Sequence, residues 1–240
     1  METSITAPSR GSAHGDGLLG RDVSAFVPES ADVPGLIEMA PAEQDVWDRA
    51  VQHLHVRDND VHTTYAFGIA KALLEVVDGA RAEIVLPAIL LHDTGWSRVP
   101  EDQVLEAIAP RPRHPELVRV HEAEGARIAR VVLEDLGRDP AVVDEVVDIV
   151  AGHDSRPEAM SPSDAVVKDA DKLWRLTPHG LATVQRWFGL RPDQALRLVG
   201  ARTHAYLHTE PARAMARALA AIASIDHSPQ RRALDAQVAQ

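Results

Sequence analysis

The chain has 240 residues, of which 45% are hydrophobic, and this length suits one large domain or one domain with extensions. It contains no cysteine, which excludes disulfides, thiolate metal sites and cysteine nucleophiles. The formal net charge of −11 argues against a general nucleic-acid-binding protein, which needs a basic face, but local arginines could still bind a small anionic substrate.

The N-terminal segment carries clusters of Gly, Ser and Pro with little periodicity, so we predict a flexible or surface-draped extension over residues 1–40. The segment lacks the apolar stretch of a signal peptide. No apolar run in the chain reaches the roughly 18 residues needed to span a membrane. We therefore expect a cytoplasmic protein with no membrane or nucleic-acid partner.

The following segment has apolar residues at helical spacing and almost no strand-like alternation. This pattern predicts an all-α domain of about nine or ten helices over residues 41–226, followed by a polar tail over residues 227–240. Asp60 is predicted to cap a helix that runs from Val61 to about Val77. Pro87 lies inside the next apolar helix and predicts a kink or a late start there.

Histidine and aspartate residues recur on or at the ends of different predicted helices. They are His62, the pair His92-Asp93, His121, the pair His153-Asp154, Asp169 and Asp171. Four histidines and several aspartates that converge between helices would suit a divalent metal ion bound by nitrogen and oxygen. Each residue alone is explained as well by a hydrogen-bonded core position, a helix end or an ion pair. Spacing cannot exclude these explanations, because the residues lie on different helices.

The ordered set and its local contexts resemble the HD-domain superfamily of metal-dependent phosphohydrolases. The matching segments, within roughly residues 50–180, are "AILLHDTGW", "HEAEGARIA", "IVAGHDS" and "VVKDADKL". The resemblance implies an HD-type helical bundle with Asp169 as a mere neighbour of the site. It also implies a minimal ligand set for one metal ion, formed by His62, His92, Asp93 and Asp171.

Two further histidines, His121 and His153, stand where binuclear members of the superfamily have additional ligands. The resemblance therefore implies two divalent ions bridged by Asp93, and iron or manganese is expected for these ligand types. Two such ions with two carboxylates and neutral imidazoles leave a positive centre, which would attract phosphate and acidify a water.

Candidate substrate contacts surround these ligands. Lys172 resembles a phosphate-contacting lysine of some HD nucleotidases, and it is, with Asp93, a candidate catalytic residue. Arg98 and His179 are further candidates for substrate binding, His179 also as a proton donor. Each of the three also has an ordinary explanation, a surface charge for Lys172 and Arg98 and a turn residue for His179. The general acid stays unassigned, because "HDTGWSRVPE" has no glutamate shortly after the His-Asp pair.

The favoured function is a phosphohydrolase in which metal-activated water attacks a small phosphomonoester, nucleotide or phosphoanhydride. One alternative is an HD-type di-iron oxygenase that acts on a small organic substrate such as a phosphonate or a polyol. The second is a non-catalytic, nucleotide-binding regulatory module. The expected partner is a small anionic phosphorylated substrate, and the sequence leaves a homo-oligomer open.

Overall fold

The computed structural model describes residue 20 and residues 22–238, in which the regular structure is helical and contains no strand. The predicted all-α fold is confirmed. The described residues form eleven α-helices: α1 (Pro41–Ala50), α2 (Asn59–Leu74), α3 (Ala82–Leu91), α4 (Glu101–Ile108), α5 (Glu116–Asp135), α6 (Pro140–Val150), α7 (Pro162–Leu173), α8 (Pro178–Phe188), α9 (Pro192–Tyr206), α10 (Glu210–Asp226) and α11 (Pro229–Val238). None of the helices in this described part is both long and apolar enough to cross a membrane.

The contacts divide the chain into two units, one up to Leu36 and one from Ile37 onward. In the first unit the described residues form two short 3-10 turns, Ser24–Phe26 and Ser30–Asp32, and contain no buried residue. The rest of the predicted extension, residues 1–19 and residue 21, lies outside the described residues.

The C-terminal segment that was predicted as a polar tail contains a further helix, α11. Pro229 is its first residue, a position where the missing N–H costs nothing and the fixed φ favours a helix start. The preceding helix, α10, ends at Asp226, and the predicted domain boundary there stays a prediction.

The central helix of the core is α3, which packs against α1, α2, α5, α6 and α7. It is apolar on all sides, as expected for a helix surrounded by others. Its interior includes Pro87, yet the helix begins before it at Ala82, so the predicted late start is wrong. Because α3 is central, the His-Asp pair that follows its last residue, Leu91, lies inside the domain.

Helix α2 begins two residues earlier than predicted, at Asn59. The preceding residue, Asp58, has a left-handed backbone with φ of 61°. Asp60 is therefore not the cap but a residue of the first turn, where its Oδ1 accepts from the Val61 N–H at 2.8 Å. The helix ends at Leu74, short of the predicted end.

The 3-10 turn after α3 lies directly against α5 at Gly95. A Cβ at Gly95 would lie 1.9 Å from the His121 carbonyl oxygen and 2.5 Å from the Gly125 nitrogen. We expect Gly95→Ala to lower the free energy of unfolding by about 3 kcal/mol or more, because the two backbones would have to separate. Urea unfolding followed by helical circular dichroism measures this.

The matched control is Gly68→Ala on α2, where a Cβ meets no atom within 4 Å. Alanine there should raise the stability by about 0.5–1 kcal/mol through helix propensity. Equal stability of Gly95→Ala and the wild type would contradict the close approach of this turn to α5.

Candidate metal centre

The six predicted ligands come together in the interior, contributed by five helices or the residues that follow them. They are His62 on α2, His92 and Asp93 after α3, His121 on α5, His153 after α6, and Asp171 on α7. All six are buried, with at most 6% of each residue exposed. Their role as ligands stays a prediction, but the structure shows that the six residues lie close together.

One group of acceptor atoms, which are nitrogen and oxygen atoms with lone pairs that could bind a metal ion, lies around His62. Its Nε2 lies 2.9 Å from the Nε2 of His92 and 3.3 Å from Oδ2 of Asp93. Oδ1 of Asp171 lies 3.5 Å from the His62 Nε2 and 3.7 Å from the His92 Nε2. Two imidazole nitrogens and two carboxylate oxygens therefore face one point.

A second group lies on the other side of Asp93. The Nε2 atoms of His121 and His153 are 3.4 Å apart, and they lie 3.8 Å and 3.6 Å from Oδ1 of Asp93. Oδ2 of Asp154 is 3.6 Å from the His121 Nε2 and 3.7 Å from the His153 Nε2. Asp93 thus offers one oxygen to each group, the arrangement that a bridging carboxylate needs.

The tautomers of His92 and His153 suit metal binding. The Nδ1 of His92 lies 2.8 Å from the Ile89 carbonyl oxygen, and the Nδ1 of His153 lies 2.9 Å from the Val150 carbonyl oxygen. A carbonyl oxygen only accepts, so each Nδ1 carries the hydrogen and the Nε2 of the neutral ring keeps its lone pair. Metal-ligating histidines are oriented in this way.

The spacing of the acceptor atoms fits metal coordination. Two atoms that each lie about 2.1 Å from one ion, about 90–110° apart around it, are separated by about 3.0–3.4 Å. The separations in the two groups run from 2.9 Å to 3.8 Å. Lone pairs this close repel each other unless a proton or a cation lies between them. The residues of both groups therefore fit divalent metal ions.

The carboxylates and histidines of the cluster shift each other's pKa values. Burial alone would lower the pKa of His153, but Asp93 and Asp154 outweigh it and raise the pKa to about 9. Burial, together with the charge of His153, lowers the pKa of His121 to about 4. Burial would raise the pKa of Asp93, yet the neighbouring histidines hold it well below its ordinary value. A metal ion that binds here would take the place of a proton.

The turn that carries His153 is held by two buried charged side chains. The Glu122 carboxylate accepts from the N–H groups of Asp154 and Ser155 at 3.0 Å and 2.8 Å, and from the Ser155 hydroxyl at 2.5 Å. The Lys168 ammonium donates to three carbonyl oxygens of the same turn, including that of His153 at 3.0 Å. These bonds fix the direction of both the histidine and the aspartate.

One wall of the centre is aromatic. The Trp96 ring stacks on His121 with centroids 3.9 Å apart and an interplanar angle of 9°. Its Nε1–H donates to Oδ1 of Asp93 at 3.1 Å. Trp96 thus orients one residue of the second group and the carboxylate that both groups share.

Arg57 is a cation near the centre that the sequence did not point to. Its guanidinium lies between two rings, 5.1 Å from the centroid of Trp96 and 5.2 Å from that of Trp187. Its backbone has a left-handed φ of 56°, which is strained for a side chain of this size. Burial lowers the pKa of Arg57 to about 10, against the opposing charge of Asp93. Its Nε is buried and has no hydrogen-bond partner among the described residues.

Lys172 lies at the centre, where the resemblance placed it, but with partners that the sequence did not reveal. Its ammonium donates to Oδ1 of Asp154 and to Oδ2 of Asp171. Burial alone would lower the pKa of Lys172, yet these two carboxylates outweigh it and raise the pKa above its ordinary value. The ammonium therefore stays charged at neutral pH.

The two other predicted substrate contacts lie further away. Arg98 lines a separate surface depression together with His53 and Arg127. That depression shares no lining residue with the cavity beside Lys172, because the 3-10 turn after Asp93 leads the chain to another side of the domain. The predicted contact of Arg98 with substrate stays a prediction.

His179 is separated from the centre by one aromatic ring. The Trp174 centroid lies 4.5 Å from that of His62 and 6.0 Å from that of His179. The His179 ring stacks on Tyr65 and lies with its Nε2 3.5 Å from the Thr183 hydroxyl. Its role towards substrate stays a prediction.

A cavity of about 340 Å³ adjoins the centre, since Asp154 and Lys172 form part of its wall. Its other cationic lining residues are Arg111, Arg175 and Arg202. Its aromatic lining residues are Trp187, Phe188 and Tyr206. This lining can hold a molecule with an anionic group at the metal end and an apolar or flat remainder.

Asp154 is the main residue to which the sequence analysis gave no role. It belongs to the second His-Asp pair, "GHDS", in which only the histidine was predicted as a ligand. Because this pair repeats the first one, the sequence could have indicated Asp154 as a site residue. It could not have indicated Arg57, since no motif connects Arg57 with the predicted ligands.

One comparison with known proteins agrees with this site. Residues 60–176 match the family model described as the HD domain, a range that contains all six predicted ligands. Neither the curated proteins nor the solved structures gave a significant match. A His/Asp cluster suited to divalent metal ions lies within the matched range. The chain therefore contains an HD domain over residues 60–176.

Proposed function

We propose that the chain is a metal-dependent phosphohydrolase that acts on a small phosphomonoester, nucleotide or phosphoanhydride. The observation that carries the proposal is the pair of acceptor groups that share Asp93 beside a cavity lined with cations. Iron or manganese is the proposed metal, because the donors are imidazoles and carboxylates without thiolates. Two such ions would polarise phosphoryl oxygens and lower the pKa of a bound water.

The protein's own cations extend this positive centre towards the substrate. The Lys172 ammonium has three N–H donors, of which two are used by Asp154 and Asp171. We propose that the third binds a phosphate oxygen. Arg175 lies in the wall of the same cavity and is proposed to neutralise a second oxygen. These local charges offset a net charge of −11 that otherwise repels anions.

The remaining lining positions the organic part of the substrate. A cavity of about 340 Å³ is at the small end of ligand sites, which suits a molecule of modest size. Trp187 and Phe188 offer flat apolar surface, and Trp187 is itself held by Arg57 through a cation–π contact. Binding energy from this part of the substrate would orient the phosphoryl group at the metal end.

The proposal is tested by phosphate release from a panel of phosphomonoesters, nucleotides and pyrophosphate, with Mn²⁺ or Fe²⁺ supplied. The assay is run with and without oxygen. Metal-dependent release without oxygen supports the hydrolase. Oxygen uptake with an organic substrate and no phosphate release would replace it with the oxygenase. Tight nucleotide binding without turnover would replace it with the regulatory module.

Lys172 provides the sharper test of substrate recognition. Lys172→Ala should lower kcat/KM for a phosphorylated substrate about ten- to a hundredfold, the cost of one charge-assisted hydrogen bond. The metal content should stay that of the wild type, because the ammonium is a donor and cannot ligate a metal. Arg127→Ala, in the depression away from the cavity, is the matched control and should leave kcat/KM unchanged. Unchanged turnover in Lys172→Ala would remove the lysine from the phosphate site.

A further inference from the structure

We infer that Asp154 is a ligand of the second metal ion, so that both ions have equivalent protein ligands. The inference rests on the proposed two-metal centre and deepens it. Each ion would have two histidines, one oxygen of the shared Asp93 and one oxygen of a terminal carboxylate. Asp171 is the terminal carboxylate of the first position, and Asp154 is that of the second.

The geometry of the two terminal carboxylates is nearly the same. Oδ1 of Asp171 lies 3.5 Å and 3.7 Å from the Nε2 atoms of its two histidines. Oδ2 of Asp154 lies 3.6 Å and 3.7 Å from the Nε2 atoms of His121 and His153. An oxygen at this distance from two imidazole nitrogens can contact the same ion as they do.

Lys172 donates to one oxygen of each terminal carboxylate and leaves the other oxygen free of this bond. It binds the outer oxygen of each, Oδ2 of Asp171 and Oδ1 of Asp154, and so leaves the inner oxygens directed at the histidines. A single ammonium between two terminal carboxylates orients both. Metal-ligating carboxylates are commonly held by such a second hydrogen bond.

The two His-Asp pairs also repeat the same local structure. Each follows the end of a helix, α3 or α6, and in each the histidine Nδ1 bonds to the carbonyl oxygen three residues earlier. The first pair provides a histidine and an aspartate to the centre. The second pair offers the same two donors, on a turn that Glu122 and Lys168 hold in place.

The test is a binding titration with Mn²⁺ alone, in which stoichiometry and Kd are measured without any substrate. Wild type should bind two ions per chain. Asp154→Ala should bind one ion as tightly as the wild type and the other with a Kd raised at least tenfold. Electron paramagnetic resonance should show a coupled pair of ions in the wild type and an isolated ion in the variant at limiting Mn²⁺.

Two variants separate ligation from a structural ion pair. Lys172→Met removes the partner of Asp154 but no metal ligand, so it should still bind two ions. If Asp154 only paired with Lys172, Asp154→Ala and Lys172→Met would give the same titration. Asp148→Ala, which removes an exposed carboxylate on α6, controls for the loss of a negative charge.

Helical circular dichroism establishes that each variant is folded. Asp154→Asn, which keeps the shape of the side chain, should also weaken the second ion and so guards against a variant that unfolds. Two ions of unchanged Kd in a folded Asp154→Ala protein would overturn the inference and leave the proposed function standing. A wild type that binds no Mn²⁺ would instead contradict the proposed function itself.

Discussion

Asp93→Ala should abolish the binding of both metal ions. Its Oδ2 faces His62 and its Oδ1 faces His153, so its carboxylate is the side chain that both groups of acceptor atoms share. Turnover of a phosphorylated substrate should then fall at least about a thousandfold, since about 4 kcal/mol of electrostatic stabilisation is lost. Metal content is measured by elemental analysis of protein that was purified with iron and manganese supplied.

A graded series distinguishes a shared ligand from an ordinary one. His121→Ala removes a nitrogen from the second group only, so it should weaken one ion and leave the other. Asp148→Ala, exposed on α6, should retain both ions. If Asp93→Ala kept two ions while folded, or lost no more than His121→Ala, Asp93 would not be the bridge.

The sequence predicted the fold from the spacing of apolar residues, and it predicted the convergence of the site from the order of histidines and aspartates along the chain. The apolar residues at helical spacing predicted an all-α domain, and the central position of α3 follows from its apolar character on every side. The His-Asp pair at the end of that helix is then necessarily interior. The family resemblance related the remaining ligands to this pair, and in the structure the facing atoms within each group lie 2.9–3.8 Å apart.

The sequence could not predict the direction of side chains that is set by a turn or by a distant partner. Arg98 is near Asp93 in sequence, yet the intervening 3-10 turn sends it to another depression. Lys172 was predicted from its neighbour Asp171, but its bond to Asp154 depends on how α7 packs near the end of α6. Arg57 reaches the centre through a left-handed backbone that no helical pattern signals.

Chelation of the metal ions should lower the melting temperature by about 10–20 °C. An ion that binds only the folded state, present at about 100 times its Kd, contributes about 2.7 kcal/mol, and two ions contribute about twice that. For a chain of this size each kcal/mol corresponds to about 2–4 °C. The effect should be cooperative across the domain, because the ligands lie on or just after five different helices. Differential scanning calorimetry of metal-loaded and chelated protein gives both the melting temperature and the enthalpy.

The chelated protein should nevertheless remain helical at room temperature. The apolar core around α3, which includes Ile84, Ile89 and Leu90, is buried without any contribution from the metal. Asp93→Ala provides the control, since a protein that binds no metal should melt at the same temperature with and without chelator. A chelator effect that persisted in that variant would mean that the ions stabilise the protein elsewhere. Identical melting curves for metal-loaded and metal-stripped wild type would contradict this prediction. They would show that the cluster of carboxylates and imidazoles is stable without a cation.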